Sequence, residues 1–374
     1  MNKTNHPSSF IPYPSSKDSG DIFEDIRHLI TTARSMVARN VNTLQVLTNF
    51  EIGRRIVEEE QKGSVRAKYG TQIITELSKR LTTEFGRGFS RSNLEYMRKF
   101  YQMYQSRVSG ISQTASGKSE PYQNLQAING KGGQPFLLSW SQYVFLSGIK
   151  DADTRRFYEI EAAENSWTLP ELTRQFNSGL YERLALSRDK EGVLKLAREG
   201  QVISKPQDML KNPYVLEFLG LDEKSRYSES DLETAIIDKL EHFLLELGKG
   251  FLFEARQKRF SFDEDHFFVD LVFYNRLLHC YVLIDLKIGK LTHQDMGQMQ
   301  MYVNYFDRFV KTKEENPTVG IILCQKKRDV LVEITLPADA NIHAKEYQLY
   351  LPSKEELRQK LIDWTTETEA DYES

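Results

Sequence analysis

The sequence has little cysteine, no long apolar run and almost no excess of one charge. Its two cysteines, Cys280 and Cys324, both lie in apolar strand-like runs, so neither a disulfide framework nor a zinc site is expected. No segment approaches the roughly 20 apolar residues of a membrane helix, and the first residues lack a signal-peptide pattern. These absences predict a cytoplasmic protein that does not bind a membrane.

The net charge of the chain does not indicate a binding partner. The chain has 50 Lys and Arg against 53 Asp and Glu in 374 residues. Only a local basic patch could indicate nucleic acid, because a phosphate backbone responds to clustered charge rather than to a whole-chain sum. The length allows two or three domains at roughly 100–200 residues each.

Composition and periodicity divide the chain into successive segments. They predict a disordered lead at 1–19, a mainly helical domain at 20–190, a connector at 191–228, an α/β domain at 229–365 and an acidic tail at 366–374. A Ser- and Gly-rich stretch at 106–133 is expected to be an exposed loop within the helical domain. The overall fold class is therefore an α+β protein of two domains.

Two stretches of the helical domain are predicted to form helix-turn-helix-like units. In the first, Ser90 can N-cap a basic helix that runs from Arg91 to about Tyr104. The second has one predicted helix over Leu169–Leu184, carrying Arg174 and Arg183. The candidate nucleic-acid-binding residues are the basic ones of the first unit, Arg87, Arg91, Arg98 and Lys99. A solvated helix face explains the first unit about equally well, and explains the second better.

The order of elements in the last third is α-β-β-β-α-β. The predicted elements are a helix at Leu232–Leu247, strands at Phe251–Phe262, His266–Tyr274 and Leu278–Lys287, a helix at Thr292–Lys311, strands at Val319–Gln325 and Glu346–Leu351, and a helix at Lys354–Trp364. Such an order is typical of an α/β sheet domain.

Two neighbouring strands, HFFVDLVFY and LLHCYVLIDLK, carry the candidate chemistry. A turn near Asn275-Arg276 predicts that they pair as a hairpin. Strand parity then places Asp270 on the same sheet face as Asp285 and Lys287. Two close carboxylates in apolar surroundings repel each other, and a hard divalent cation such as Mg²⁺ or Mn²⁺ accommodates both. Lys287 could hold an attacking water or neutralise a phosphate.

Without further residues, Asp270, Asp285 and Lys287 would be explained as three side chains joined by ordinary salt bridges on a half-exposed sheet. Further polar residues accompany it. Glu233 lies on the preceding helix, although a lone helical Glu is more often a surface residue. Gln298 and Tyr302 are four apart, so they project from one face of the following helix.

Together, Glu233, Asp270, Asp285-Leu286-Lys287 and Gln298-x-x-x-Tyr302 resemble the PD-(D/E)xK nuclease superfamily, and the Gln-x-x-x-Tyr pair is similar to its RecB-like branch. The strings FFVDLVFYN, VLIDLKIGKL and GQMQMYVNYFD, with EFGRGFSRSNLEYMRKFY and LYERLALS upstream, resemble the YhcG-like bacterial family. The resemblance spans the chain apart from residues 1–19 and the 106–133 loop.

The resemblance implies a fold, an activity and roles for residues. It implies a restriction-endonuclease-like α/β domain with a mixed sheet, and a helical domain that positions DNA. Asp270 and Asp285 would be the metal ligands, Lys287 the catalytic lysine, Glu233 an accessory acid, and Gln257, Gln298 and Tyr302 residues that shape the site. The cofactor would be Mg²⁺ or Mn²⁺. A homodimer is compatible with the sequence.

Two residues depart from the family pattern, and two alternatives stay open. Asp285 stands where relatives more often have Glu, and Glu254 stands where a small or apolar residue is expected; we expect Glu254 to face outward. The leading hypothesis is a metal-dependent nuclease that hydrolyses DNA phosphodiester bonds. The alternatives are a DNA-binding or assembly protein with weak or no turnover, and a nuclease that acts on RNA.

Overall fold

A computed structural model describes most of the chain. It covers residues 42–61, 67–112, 136–186, 188, 190–221, 227–262, 265–337, 340–353 and 355–359. The predicted disordered lead, the first residues of the predicted helical domain (20–41), most of the predicted loop and the acidic tail lie outside these residues. By packing, the chain divides into unit 1 (Met1–Trp140) and unit 2 (Ser141–Ser374), which are taken separately below.

Unit 1 is helical throughout its described part. Its helices are α1 (residues 42–61), α2 (Ala67–Phe85) and α3 (Arg91–Ser112). The N–H of Asn93 donates to Ser90 Oγ at 3.3 Å, so Ser90 caps α3 as predicted. Helix α3 continues beyond Tyr104, and residues 106–112 of the predicted loop are helical. Ser and Gly weaken a helix by only about 0.5–1 kcal/mol each, and extending an existing helix needs no new nucleus.

Helices precede the sheet along the chain in the described part of unit 2. They are α4 (Trp140–Leu146, which starts at the division), α5 (Ala152–Glu164), α6 (Leu169–Asn177), α7 (Leu180–Ala185) and α8 (Lys190–Glu199). Asp151 caps α5, and Thr168 forms a capping box with Glu171 at the start of α6. The prediction of one helix over Leu169–Leu184 is wrong, because Gly179 takes a left-handed φ of +64° and separates α6 from α7.

A six-stranded mixed sheet forms the centre of unit 2. Its strands are β1 (Tyr214–Val215), β2 (Phe251–Phe262), β3 (Asp265–Asn275), β4 (Cys280–Lys290), β5 (Val319–Lys326) and β6 (Ile342–Gln348), in the order β1-β6-β5-β4-β3-β2. The β2-β3-β4 part is antiparallel, and β4, β5, β6 and β1 run parallel. Strand β1 was not predicted and lies within the expected connector. The last strand begins earlier than the predicted Glu346–Leu351.

Helices cover both faces of this sheet. They are α9 (Glu229–Asp238), α10 (Leu240–Leu247), α11 (His293–Tyr305), a π-helical turn at Phe306–Val310 and α12 (Asp329–Thr335), and residues 355–359 are also helical. The predicted single helix Leu232–Leu247 is two helices that meet at Lys239, whose backbone (φ −119°, ψ 31°) leaves the helical region.

Alternate residues of β3 and β4 enter different cores, as a sheet covered on both faces requires. Leu271 and Ile284 pack with α9 and α10 in one cluster, and Val272 and Leu283 pack with α11 in the other. Both cysteines are free and buried, as expected. Within the described residues, no helix is long and apolar enough to cross a membrane.

Packing places the division of the chain at 140/141, whereas the pattern of the sequence places the end of the helical domain at 190. Residues 141–199 are joined by buried charges to α10 and to the turn that precedes β2. Arg183 of α7 ion-pairs with Glu246 of α10, and Lys249 ion-pairs with Glu161 of α5 at 2.8 Å. A helical pattern reveals which residues turn inward, but not which layer they meet.

Candidate active site

The β3-β4 hairpin brings the predicted carboxylates together. Its pairs run from Asn275↔Cys280 to Leu271↔Ile284, and the next pair in this register is Asp270 opposite Asp285. The ladder of paired residues stops at that point. The N–H of Leu286 instead donates to Oδ2 of Asp270 at 2.9 Å, so a side-chain carboxylate takes the place of a strand hydrogen bond. The register predicted from strand parity is the observed one.

Asp270 is also held from the β2 side. Gln257 Nε2 donates to Oδ1 of Asp270 at 3.1 Å and to Oε2 of Glu233 at 2.5 Å. Gln257 has a left-handed φ of +47°, which strands rarely contain. Glu233 is buried on α9 and also ion-pairs with Arg256. Three of the predicted site residues thus form one connected chain, Glu233 to Gln257 to Asp270.

Lys287 completes the cluster on β4. Its Nζ lies 2.8 Å from Oδ2 of Asp285 and 3.6 Å from Oε2 of Glu229. Oε1 of Glu229 accepts the backbone N–H of Ile288 at 3.3 Å. Glu229 was not among the predicted residues. The signal for it is the pair Ser228 and Asp231, a capping box that starts α9 at Glu229, one turn before Glu233.

The charges of this cluster are strongly coupled. Burial first, and the neighbouring Asp270 carboxylate second, raise the pKa of Asp285 to about 7. Burial also raises the pKa of Asp270, against the lowering effect of the Leu286 N–H. Burial works against the charge of Lys287, but Asp285 and Glu229 outweigh it and raise that pKa above its ordinary value. Two carboxylates therefore share a site in which both cannot easily be charged.

The carboxylate oxygens of the cluster supply some of the ligands that a hard divalent cation needs. Oδ2 of Asp285 is buried and, apart from the ion pair with Lys287, has no hydrogen-bond donor among the described residues. Carboxylate oxygens are the ligands that Mg²⁺ prefers, and it usually keeps several waters beside one or two of them. No group of three or more His, Cys, Asp or Glu side chains in the described segments has metal-binding geometry. The residues present would thus supply two carboxylates and leave the other positions to water and substrate.

Gln298 and Tyr302 lie together on α11, over the same sheet face. Nε2 of Gln298 donates to the Tyr302 hydroxyl at 2.5 Å. Tyr302 is buried and packs edge-on against Phe260 of β2. Burial is the main cause that raises the pKa of Tyr302 to about 12, and the carboxylates of Asp285 and Asp270 contribute. The hydroxyl is therefore neutral and placed near the acidic cluster.

Glu254, the residue that departs from the family pattern, lies at a bulge in β2. The register shifts between Phe253 and Ala255, so Glu254 is the extra residue. It is exposed and ion-pairs with Lys258 at 3.5 Å, as expected for an outward-facing side chain.

The basic residues of the first helix-turn-helix-like unit differ in their surroundings. Arg87 and Lys99 are exposed, and no ion pair to an acidic residue is formed by either within the described part of unit 1. Arg91 pairs with Glu95 at 3.0 Å on the surface, and half-buried Arg98 pairs with Glu60 of α1 at 2.9 Å. Arg98 is therefore partly committed to holding α3 against α1.

Arg174 and Arg183, the two arginines of the second helix-turn-helix-like stretch, form ion pairs inside the fold. Arg183 is fully buried and ion-pairs with Glu246, and Arg174 pairs with both Glu217 and Glu246. The N–H of Val215 in β1 also donates to Glu246, at 3.0 Å. Both guanidinium groups are held in ion pairs, so they fit neither a phosphate-binding role nor the solvated helix face that the sequence favoured for this stretch.

Comparisons with known proteins identify the family of this chain. Residues 207–362 match the YhcG PDDEXK nuclease domain, and residues 25–183 match the DUF1016 N-terminal domain. The protein named Putative nuclease YhcG of Escherichia coli (strain K12) is 40% identical over 353 residues, covering 91% of this chain and 93% of that protein. A crystal structure of a repair endonuclease from Pyrococcus abyssi covers 35% of this chain and 50% of its own, at 18% identity and a TM-score of 0.23, a likeness too weak to carry an inference. The chain therefore belongs to the YhcG family, which joins a DUF1016 N-terminal domain to a PD-(D/E)xK nuclease domain.

Proposed function

We propose that this protein is a metal-dependent phosphodiesterase that hydrolyses DNA, and that its N-terminal domain positions the nucleic acid. The observation that carries the proposal is the pair Asp270 and Asp285, directly opposite on β3 and β4, with Lys287 ion-paired to Asp285. A purely structural ion pair would not need the second, half-buried carboxylate of Asp270, because a carboxylate held partly away from water without a counter-charge costs stability.

Asp270 and Asp285 would hold Mg²⁺ or Mn²⁺. When bound, the ion would polarise the scissile phosphate and make a water molecule more acidic. Lys287 carries its charge next to this position, where it can orient the attacking water or neutralise charge on the phosphate. Gln257 fixes the orientation of Asp270, and Glu233 fixes Gln257, so both act as positioning residues.

The nucleic acid is proposed to meet the exposed cations of unit 1. Arg87 and Lys99 are accessible, whereas Arg91 would exchange its surface pair with Glu95 for a phosphate at little cost. Arg98 contributes mainly by fixing α3. Replacing Arg87 or Lys99 is expected to weaken binding to all sequences alike and to flatten its salt dependence.

A cleavage assay tests the proposal. Linear, nicked and branched DNA, and RNA of matched sequence, are incubated with the full chain in Mg²⁺ or Mn²⁺. Asp285→Asn and Lys287→Met should each lower the rate at least 100-fold, since either removes a group placed at the reacting phosphate. Asp329→Asn and Lys313→Met, which alter exposed residues, are the matched controls and should leave the rate unchanged.

The outcomes separate the hypotheses. Cleavage that is indifferent to Asp285→Asn and Lys287→Met contradicts the proposed site. Tight, salt-sensitive DNA binding that persists in Asp270→Ala, without cleavage under either metal, would instead identify a DNA-binding protein. Cleavage of RNA in preference to DNA would replace the substrate and keep the site.

A further inference from the structure

Strands β2 and β3 stay paired past the point at which β3 separates from β4. The β3-β4 pairing stops at Leu271↔Ile284, but β2 and β3 stay paired through Lys258↔Val269, Arg259↔Phe268, Phe260↔Phe267 and Ser261↔His266. This two-stranded extension, residues 258–261 with 266–269, is called the ribbon below. It begins immediately beyond Gln257 and Asp270, two residues of the candidate active site.

One side of the ribbon is fastened to α11. The Phe260 ring is 5% exposed and stacks on Tyr305 with ring centroids 4.0 Å apart. It also stacks on Phe267 at 5.6 Å, and Val269 is fully buried. Burial of these side chains holds the ribbon in place, because each buried aromatic ring contributes on the order of 2 kcal/mol. The ribbon is thus a fixed part of the surface beside the site.

The opposite side presents a cation and an aromatic ring to solvent. Arg259, Ser261, His266 and Phe268 are all exposed, and Phe268 keeps 45% of its surface in water. Arg259 Nη2 donates to Nε2 of His266 at 2.9 Å, and Nδ1 of His266 lies 2.8 Å from Oγ of Ser261. His266 and Ser261 therefore orient the guanidinium, whose other N–H groups form no hydrogen bond with the residues that the structure describes.

Arg259 differs from its two cationic neighbours. Arg256 ion-pairs with Glu233, and Lys258 ion-pairs with Glu254. Arg259 forms no ion pair with an acidic side chain in the described part of unit 2. It lies two residues beyond Gln257, or about 7 Å at roughly 3.3 Å per strand residue. A positive, oriented group that has no acidic partner among the described residues, beside the proposed phosphodiester site, is suited to bind an anion.

We propose that this side of the ribbon binds an unpaired DNA strand next to the scissile phosphate, with Arg259 on a phosphate and Phe268 stacked on a base. The inference rests on the proposed function, because it assigns the strand to the substrate of that site. An exposed ring can stack on a base only where the base is free of its neighbours, whereas a duplex interior offers no such face. The substrate class is therefore DNA with a single-stranded segment, such as a flap, a branch or an open end.

A binding assay tests this without catalysis. Fluorescence anisotropy of a labelled single-stranded oligonucleotide and of a blunt duplex is measured with the full chain in EDTA. Arg259→Ala and Phe268→Ala should each weaken single-strand binding about 5- to 100-fold, the range expected for one lost stacking or phosphate contact. Arg259→Ala should also reduce the slope of log K against log salt by about 0.7, and Phe268→Ala should not.

Matched controls are available on the same unit. Arg276→Ala removes an exposed arginine at the other end of β3, and Tyr350→Ala removes an aromatic ring that is 49% exposed. Both should bind within two-fold of wild type. Phe268→Tyr should restore binding, since it keeps the ring. His266→Ala should weaken binding through Arg259, and it should lose this effect when Arg259 is already alanine.

Unchanged single-strand binding in Arg259→Ala and Phe268→Ala overturns the inference, and so does an equal loss on the blunt duplex. Thermal unfolding of each variant checks that the fold is kept. Stronger binding of matched single-stranded RNA would overturn the choice of DNA. A protein that binds single strands through the ribbon but cleaves nothing with Mg²⁺ or Mn²⁺ would refute the proposed function alone; one that cleaves while both variants bind normally would refute the ribbon alone.

Discussion

Glu246→Ala would leave the fully buried Arg183 and the partly buried Arg174 without their shared counter-charge. The Glu246 side chain is fully buried, with Oε1 at 2.5 Å from Arg183 and Oε2 at 3.1 Å from Arg174. Removing one partner of a buried ion pair typically costs about 3–5 kcal/mol, because the remaining charge stays desolvated. The variant is therefore expected to lose about that much of the unfolding free energy of unit 2.

The lowered pKa of Glu246 gives a second value for the stabilisation that its charge provides. Burial alone would raise this pKa, but the charges of Arg183, Lys211 and Arg174 outweigh burial and lower it to about 2 from an ordinary 4.5. At 1.36 kcal/mol per pKa unit, this shift corresponds to about 3 kcal/mol. Because the folded pKa lies below the unfolded one, this stability is present above pH 4.5 and is lost as the pH falls from 4.5 towards 2.

Urea unfolding at pH 7, followed by tryptophan fluorescence and circular dichroism, measures the effect. Glu241→Ala is the matched control, since Glu241 is an exposed glutamate on the same helix, α10. Glu246→Gln keeps the shape and should fall between the control and Glu246→Ala. A Glu246→Ala protein within 1 kcal/mol of wild type at pH 7 would refute the view that this ion cluster is a main attachment between α7, α10 and β1.

Three further substitutions test the site and the strands that carry it. Tyr302→Phe removes the hydroxyl that accepts from Gln298, so thermal denaturation should show a loss of about 1 kcal/mol in unfolding free energy. Adding Gln298→Ala should cause no further loss, and additive losses would contradict a direct hydrogen bond between the two side chains. Gly250→Ala should lower the melting temperature by an amount equivalent to about 1–3 kcal/mol, because φ is +84° and the new Cβ would lie 2.8 Å from Leu277; an unchanged melting temperature would refute the strain. Glu233→Gln should slow DNA cleavage about 10-fold while DNA binding in EDTA stays unchanged, as expected of a positioning residue; weakened binding would assign Glu233 to substrate contact.

Local rules in the sequence were enough to predict the central hairpin. Period-two alternation and a short turn fix the parity of an antiparallel pair, and the observed register places Asp270 opposite Asp285. The bounds of β2 match the prediction, because its apolar and β-favouring residues stop where the turn begins. The family resemblance supplied Gln257, which no spacing rule would have singled out, whereas the four-residue spacing from Gln298 had already marked Tyr302.

Long-range contacts set the features that the sequence could not predict. A two-residue strand such as β1 is too short to show a periodic pattern. It forms because its backbone pairs with β6 and because the N–H of Val215 donates to the Glu246 carboxylate. The pairing of Arg98 with Glu60 joins residues 38 apart in the chain, so the basic helix looks freer in sequence than it is. Glu229 could have been found locally, since Ser228 and Asp231 already mark the start of α9.

An anomalous difference map from a crystal soaked in Mn²⁺ tests the central claim most directly. The account predicts one strong peak between Asp270 and Asp285, about 2–2.5 Å from an oxygen of each carboxylate, and its loss in Asp285→Asn. A saturating soak that shows no peak there, or a peak that remains in Asp285→Asn, would contradict the assignment of a metal-binding nuclease centre.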